Sequence, residues 1–164
     1  MISFKSWLFE NDAEHTETLK KTGFWGKQGA GCIILSKSTG RILLPHRSNK
    51  TLEPNTWGVW GGAIDGAENP QIAAKREVEE EAGYSGHAAM VPLSIFQKND
   101  FKYHNFLAIV DEEFVPQLNW ETQNYVWTTL DELPSPLHFG LQWVLSRDKG
   151  KIQSIIDSFN LVPA

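Results

Sequence analysis

Apolar positions along this chain change spacing several times, and each change marks an element. Residues 30–37, AGCIILSK, form an unbroken apolar and β-branched run. Ser38-Thr39-Gly40 then marks a turn, and residues 41–47, RILLPHR, read as the partner strand. A loop rich in Asn, Pro and Thr leads to WGVWGGAIDGAE at 57–68, a Gly-rich segment with room for only a short strand. The clearest helix follows. Asn69 suits its N-cap, Pro70 its first position and Gly83 its carboxyl end, and QIAAKREVEEEA between them consists of strong helix formers. MVPLSIFQK and KYHNFLAIV flank Asn99-Asp100-Phe101 as a β-hairpin, and YVWTTL is a further short strand before the turn-like DELPSP. Leu141, Val144, Leu145, Ile152, Ile155, Ile156 and Phe159 then recur at helical spacing, with Gly150 a candidate break in that helix. Near the amino terminus, residues 6–21 suit a short polar helix.

Strands flanking a central helix, with another helix at the end, predict a layered α/β domain with a mixed sheet. The 164 residues suit a single domain over 1–164, with 1–29 as an amino-terminal extension. An apolar content of 41% and a charged content of 21% belong to an ordinary globular protein. The net charge of −5 argues against DNA or any broad nucleic-acid surface, though a divalent metal could still draw an anionic substrate locally. Cys32 is the single cysteine and lies in the apolar run at 30–35, which predicts a buried, inert thiol. No apolar stretch suits a signal peptide or a membrane span, so a cytoplasmic protein without a membrane partner is expected.

Charge changes the picture most on the central helix. At about 100° per residue, Ala74, Val78 and Ala82 share one arc, a stripe of small side chains that lets the helix lie close to a sheet. Glu77, Glu80 and Glu81 share a second arc, and Glu79 points about 150° away from them. Three carboxylates on one face repel each other, in the last turns where the helix dipole already disfavours negative charge. A solvated acidic face is the bland explanation; a hard divalent cation is the compensation that would repay both violations.

The segment before the helix decides between them. Gly62, five residues, Glu68, seven residues, then Arg76-Glu77-Val78-Glu79-Glu80-Glu81-Ala82-Gly83-Tyr84 resembles the Nudix box at every fixed position. Tyr84 departs from it, standing where the family usually places Leu, Ile or Val. Trp60 also stands where many relatives carry Pro. The resemblance implies an α/β/α sandwich with the box as a loop–helix–loop, and a pyrophosphohydrolase that splits a phosphoanhydride in a nucleoside-diphosphate-linked compound. It implies that Glu77, Glu80, Glu81 and the Gly61 carbonyl hold Mg²⁺, with Mn²⁺ as a substitute. Arg76 would orient these carboxylates, Glu68 would pair with Arg76 or reach the metal through water, and Gly62 would allow close backbone approach. Glu121, in the loop before the Trp127 strand, is the candidate general base, with Glu112 and Glu113 weaker. Arg47 is a candidate phosphate contact, and Trp57 and Trp60 serve either the core or a nucleobase. His46, His104 and His138 lack metal-ligand spacing and read as structural. ADP-ribose, NADH, a nucleotide sugar and a nucleoside triphosphate stay open as substrates. So do an RNA 5′ end or a dinucleoside polyphosphate, and a non-catalytic ADP-ribose-binding regulator. A homodimer is compatible with the family.

Overall fold

The computed structural model describes residues 28–162; the helix expected over 6–21 lies outside them. Its elements are β1 (Gln28–Ser36), β2 (Ile42–Arg47), β3 (Trp60–Ala63), α1 (Pro70–Ala82), β4 (Ala89–Lys98), β5 (Phe101–Val110), β6 (Thr122–Thr128) and α2 (Phe139–Ser158). The six strands form one mixed sheet in the order β4-β5-β1-β2-β6, with β3 also against β1. Of these six strands, only β1 and β5 pair in parallel, from Gln28 opposite Lys102 to Ser36 opposite Val110.

The centre of the molecule is a fork. One edge of β1 is given wholly to β5. The other is divided, Gly29 to Cys32 pairing with β3 and Ile34 to Leu35 with β2. Side chains of β1 alternate between two buried layers. Ala30, Cys32 and Ile34 meet Ala73, Ala74, Val78 and Ala82 of α1, while Ile33 and Leu35 meet Leu141, Val144, Leu145 and Ile152 of α2. Burial on both faces is why β1 reads as a continuous apolar run and not as an alternation. The sandwich is therefore α1, sheet, α2.

Local chemistry sets the ends of α1. Asn69 accepts the Gln71 amide at 2.8 Å, and Gly83 takes a left-handed φ of 68° while its N–H bonds the Glu79 carbonyl. A Cβ on Gly83 would also lie 2.8 Å from Gln117 Cβ, so the loop after β5 packs tightly against this cap. The expected break at Gly150 does not occur, and α2 runs unbroken through it. A helical glycine costs only about 1 kcal/mol, and Leu145 and Ile152 are buried on either side of it. Buried Asp148 further ties α2 to the sheet, accepting Ser94 N (2.8 Å) and Ser94 Oγ (3.0 Å) where β4 shifts register between Pro92 and Ile95. Cys32 is buried, and burial pushes its thiol pKa up, in keeping with an inert side chain.

Candidate active site

α1 lays its acidic arc against β3 where β2 and β3 part. Glu77 and Glu81 are 8% and 6% exposed, whereas Glu79 and Glu80 face solvent. The Gly61 N–H donates to Glu81 Oε2 at 3.0 Å, so the backbone of β3 itself fixes that carboxylate. Gly62 is required by the next one along, because a Cβ there would lie 2.7 Å from Glu77 Oε1. The close approach is between backbone and carboxylate.

Arg76 holds this group together. Its Nε and Nη2 fork onto Glu68 at 3.0 and 3.1 Å, Nη1 reaches Glu77 at 3.1 Å and Glu80 at 3.1 and 3.2 Å, and Nη2 also bonds the Ala63 carbonyl. The planar guanidinium suits such a many-sided contact better than a lysine could. Even so, Arg76 does not neutralise the site. Burial raises the Glu77 pKa to about 7, against the pull of Arg76 and with Glu80 and Glu121 adding repulsion. Burial raises Glu81 well above the usual carboxylate range, helped by Glu121 and Glu77.

Glu121 comes from the segment between β5 and β6, forty residues along the chain, and its carboxyl lies beside that of Glu81, whose pKa it helps to raise. The loop is pinned for this contact: the Glu121 carbonyl accepts Ser48 N at 2.9 Å, and its N–H donates to Asn119 Oδ1 at 2.9 Å. The weaker candidates are elsewhere. Glu113 forks onto Arg41 at 2.6 Å, and Glu112 is exposed.

Oxygen donors alone, two of them buried and held above the usual carboxylate range by burial and mutual repulsion, fit a hard divalent cation, which would displace protons there and relieve the repulsion. Among the described residues no three acidic side chains converge into a finished cage. Glu80 is turned to Arg76 and its side chain is 55% exposed.

Of the remaining sequence-based candidates, Arg47 ends β2 and gives Nε and Nη2 to the Leu52 carbonyl at 2.9 and 2.6 Å. Burial lowers its pKa, while the charges of Glu81, Glu53 and Glu121 act the other way, so the guanidinium feels the field of the acidic group. Trp57 is half-buried and stacked on His46 at 4.3 Å between ring centroids, which occupies one face of the indole. Trp60 is no substrate contact. It is wholly buried under α1 with Nε1 donating to the Leu43 carbonyl at 2.9 Å, so it serves the core alone. His104 bonds Gln28, and His138 caps α2.

Tyr103 was not singled out by sequence, yet it adjoins the site. Its ring crosses the glycines of β1 and β3: a Cβ on Gly29, Gly31 or Gly61 would collide with it. Burial and the nearby Glu81 and Glu77 push its hydroxyl pKa up. Glycines at alternate positions of a strand signal such an approach, but not which side chain makes it.

A family model described as NUDIX domain matches residues 26–147. The chain is 31% identical over 134 residues to “Putative 8-oxo-dGTP diphosphatase 3” of Mycobacterium tuberculosis, covering 73% of this chain and 62% of that one. It is 34% identical over 96 residues to diphosphoinositol polyphosphate phosphohydrolase 2 of Rattus norvegicus, covering 58% of this chain and 50% of the relative. The chain thus spans half to about three-fifths of the length of these relatives. Among solved structures, a MutT NUDIX hydrolase from Burkholderia pseudomallei superposes with a TM-score of 0.56 at 26% identity, covering 73% of this chain and 97% of that one. No helix among the described residues is long and apolar enough to cross a membrane.

Proposed function

We propose, since this chain belongs to the Nudix family, that it is a Mg²⁺-dependent pyrophosphohydrolase acting on a nucleoside diphosphate linked to a further group. The observation that carries this reading is the burial of Glu77 and Glu81 beside Glu121, an arrangement unfavourable without a cation. Glu77, Glu80, Glu81 and the Gly61 carbonyl would hold Mg²⁺, or Mn²⁺ in its place. Bound there, the ion would neutralise the diphosphate and lower the pKa of an attacking water.

The chain's own residues supply the rest. Arg76 keeps Glu77 and Glu80 on one side of the helix, and Glu68 keeps Arg76 in place. Glu121 accepts a proton from water as its oxygen bonds to one phosphorus. The anhydride oxygen leaves with the other phosphoryl group, giving two phosphate monoesters from a linked diphosphate. Arg47 faces the phosphates at the mouth of the fork, and the exposed part of the half-buried Trp57 borders the base. The acidic net charge favours a small nucleotide over an RNA end. The test is phosphate or nucleotide release from ADP-ribose, NADH, nucleotide sugars, dGTP, 8-oxo-dGTP and a diphosphoinositol polyphosphate, with Mg²⁺ and with EDTA. Release with Mg²⁺ alone is expected. No release from any compound would leave the non-catalytic ligand-binding reading in its place.

Two further results follow from the geometry. Mg²⁺ and protons compete for Glu77, whose pKa is about 7 without metal. Affinity for Mg²⁺, read by calorimetry, should weaken roughly tenfold per pH unit below that value, about 100-fold by pH 5. The sign follows from the raised pKa: the metal-free protein binds the extra proton between the ordinary carboxylate value and pH 7, and the metal must displace it there. A pH-independent affinity over that window would count against Glu77 as a ligand. Gly62→Ala inserts a methyl against the Glu77 carboxylate. It should lower kcat by about 10- to 100-fold, the cost of an ångström-scale displacement, while thermal unfolding moves little.

A further inference from the structure

The loop that brings Glu121 to the acidic group, residues 111–121, contains no helix or strand of its own. Repulsion among Glu121, Glu81 and Glu77 acts to push that loop away. Contacts other than the carboxylates must therefore hold it, and they gather at the carboxyl end of α1. Of the loop's large apolar side chains, Phe114 alone packs against the core, while Val115, Leu118 and Trp120 face outward.

Tyr84 is the residue that meets Phe114. It stands just past the Gly83 cap, at the position where this chain departs from the Nudix box. Its ring stacks on Phe114 with centroids 4.6 Å apart and planes 29° apart. Phe114 in turn meets Trp127 of β6 edge-on at 5.7 Å, and Trp127 Nε1 donates to the Phe114 carbonyl at 3.0 Å. Tyr84 is itself fixed, since its hydroxyl donates to the His87 carbonyl at 2.6 Å. Further along the loop, the Gln117 N–H donates to the Ala82 carbonyl at 2.9 Å, and Asn119 accepts the Glu121 N–H. The tether thus runs from Tyr84 through Phe114, Gln117 and Asn119 to Glu121. An aliphatic side chain at 84 would cover Phe114 but could not stack on it.

We infer that Tyr84 is a positioning residue: its stack on Phe114 clamps the loop to the end of α1 and holds Glu121 at the acidic arc against their repulsion. This rests on Glu121 as the base proposed above.

The test is a double-variant cycle. Tyr84→Leu installs a residue type usual in the family, so the fold is kept and the stack is lost. It should lower kcat for the first accepted compound of the panel about three- to tenfold, the effect of one lost aromatic pair, with KM within about twofold. Phe114→Leu removes the stack from its other side and should do the same. Tyr84→Phe keeps the stack and should hold kcat within about twofold of wild type. In a Glu121→Gln background, Tyr84→Leu should lower kcat by less than about twofold more, because the loop no longer carries a base. A merely structural role predicts the same loss in both backgrounds, and that result overturns the inference, as does a wild-type kcat in Tyr84→Leu. Glu121→Gln with an unmoved kcat removes the base itself, the reading beneath, and the inference with it. Hydrogen–deuterium exchange on the metal-free protein reads the clamp without turnover. The Gln117 N–H should exchange about three- to tenfold faster in Tyr84→Leu, with β1 unchanged, and return to the wild-type rate in Tyr84→Phe. Exchange at Gln117 that stays slow, or that rises equally in β1, overturns the clamp whatever the enzyme hydrolyses.

Discussion

Glu81→Gln should lower kcat about 10³-fold at saturating Mg²⁺, a loss of roughly 4 kcal/mol of transition-state stabilisation. The amide keeps an oxygen to accept the Gly61 N–H, so the backbone contact survives. What it removes is a negative oxygen at the most buried point of the acidic arc. Without metal the variant should unfold at the same temperature as wild type or higher, because a neutral amide escapes the desolvation that raises the Glu81 pKa. Loss of turnover with stability intact or improved is the signature of a ligand. Glu80→Gln should share the kinetic loss with little change in metal-free stability, since Glu80 is largely exposed. Steady-state kinetics and thermal melts on both variants check this, and near-wild-type turnover in both would remove the case for the acidic arc.

Arg76→Ala should carry the largest stability cost of any single change at the site. Five groups lose their partner together: Glu68, Glu77, Glu80, Asp65 and the Ala63 carbonyl. Removing one member of a buried ion pair costs about 3–5 kcal/mol. Arg76 is partly exposed, so solvent screening reduces the expected loss to about 2–3 kcal/mol, or roughly 5–10 °C in melting temperature. The loss should depend on pH with a definite sign. Below the Glu77 pKa of about 7 that carboxyl holds a proton and needs no counter-charge, so the penalty shrinks toward pH 5 and is larger at pH 8. Arg76→Lys keeps the charge but not the fork, and should fall between. Melts of the three proteins at pH 5 and pH 8 decide it; a penalty that grows toward low pH contradicts the assigned role.

How much of this was legible in the sequence depends on how local each feature is. α1 was legible to the residue, because Asn69, Pro70 and Gly83 act within a turn of where they stand. Helix geometry grouped Glu77, Glu80 and Glu81 away from Glu79; burial takes in Glu77 and Glu81 but leaves Glu80 exposed with Glu79. Trp60 was harder to read, because a tryptophan beside glycines looks alike whether it faces a ligand or a core. Its burial depends on α1 lying over β3. Gly150 suggested a break because local propensity was weighed without the apolar face that carries α2 past it. Tyr103 and the Tyr84–Phe114 stack depend on pairings between distant segments: β5 beside β1, and the loop after β5 beside the end of α1. No spacing within either segment encodes them. The approach of Glu121 to Glu81 is of the same kind; the position of Glu121 before the Trp127 strand suggested only a candidate general base.

Crystals soaked in Mn²⁺ and measured at the manganese edge test the central claim most directly. An anomalous peak bonded to carboxylate oxygens of Glu77, Glu80 and Glu81, with Glu80 turned away from Arg76, is the expected result. An anomalous map without a peak there, with Glu80 still turned to Arg76, would contradict it.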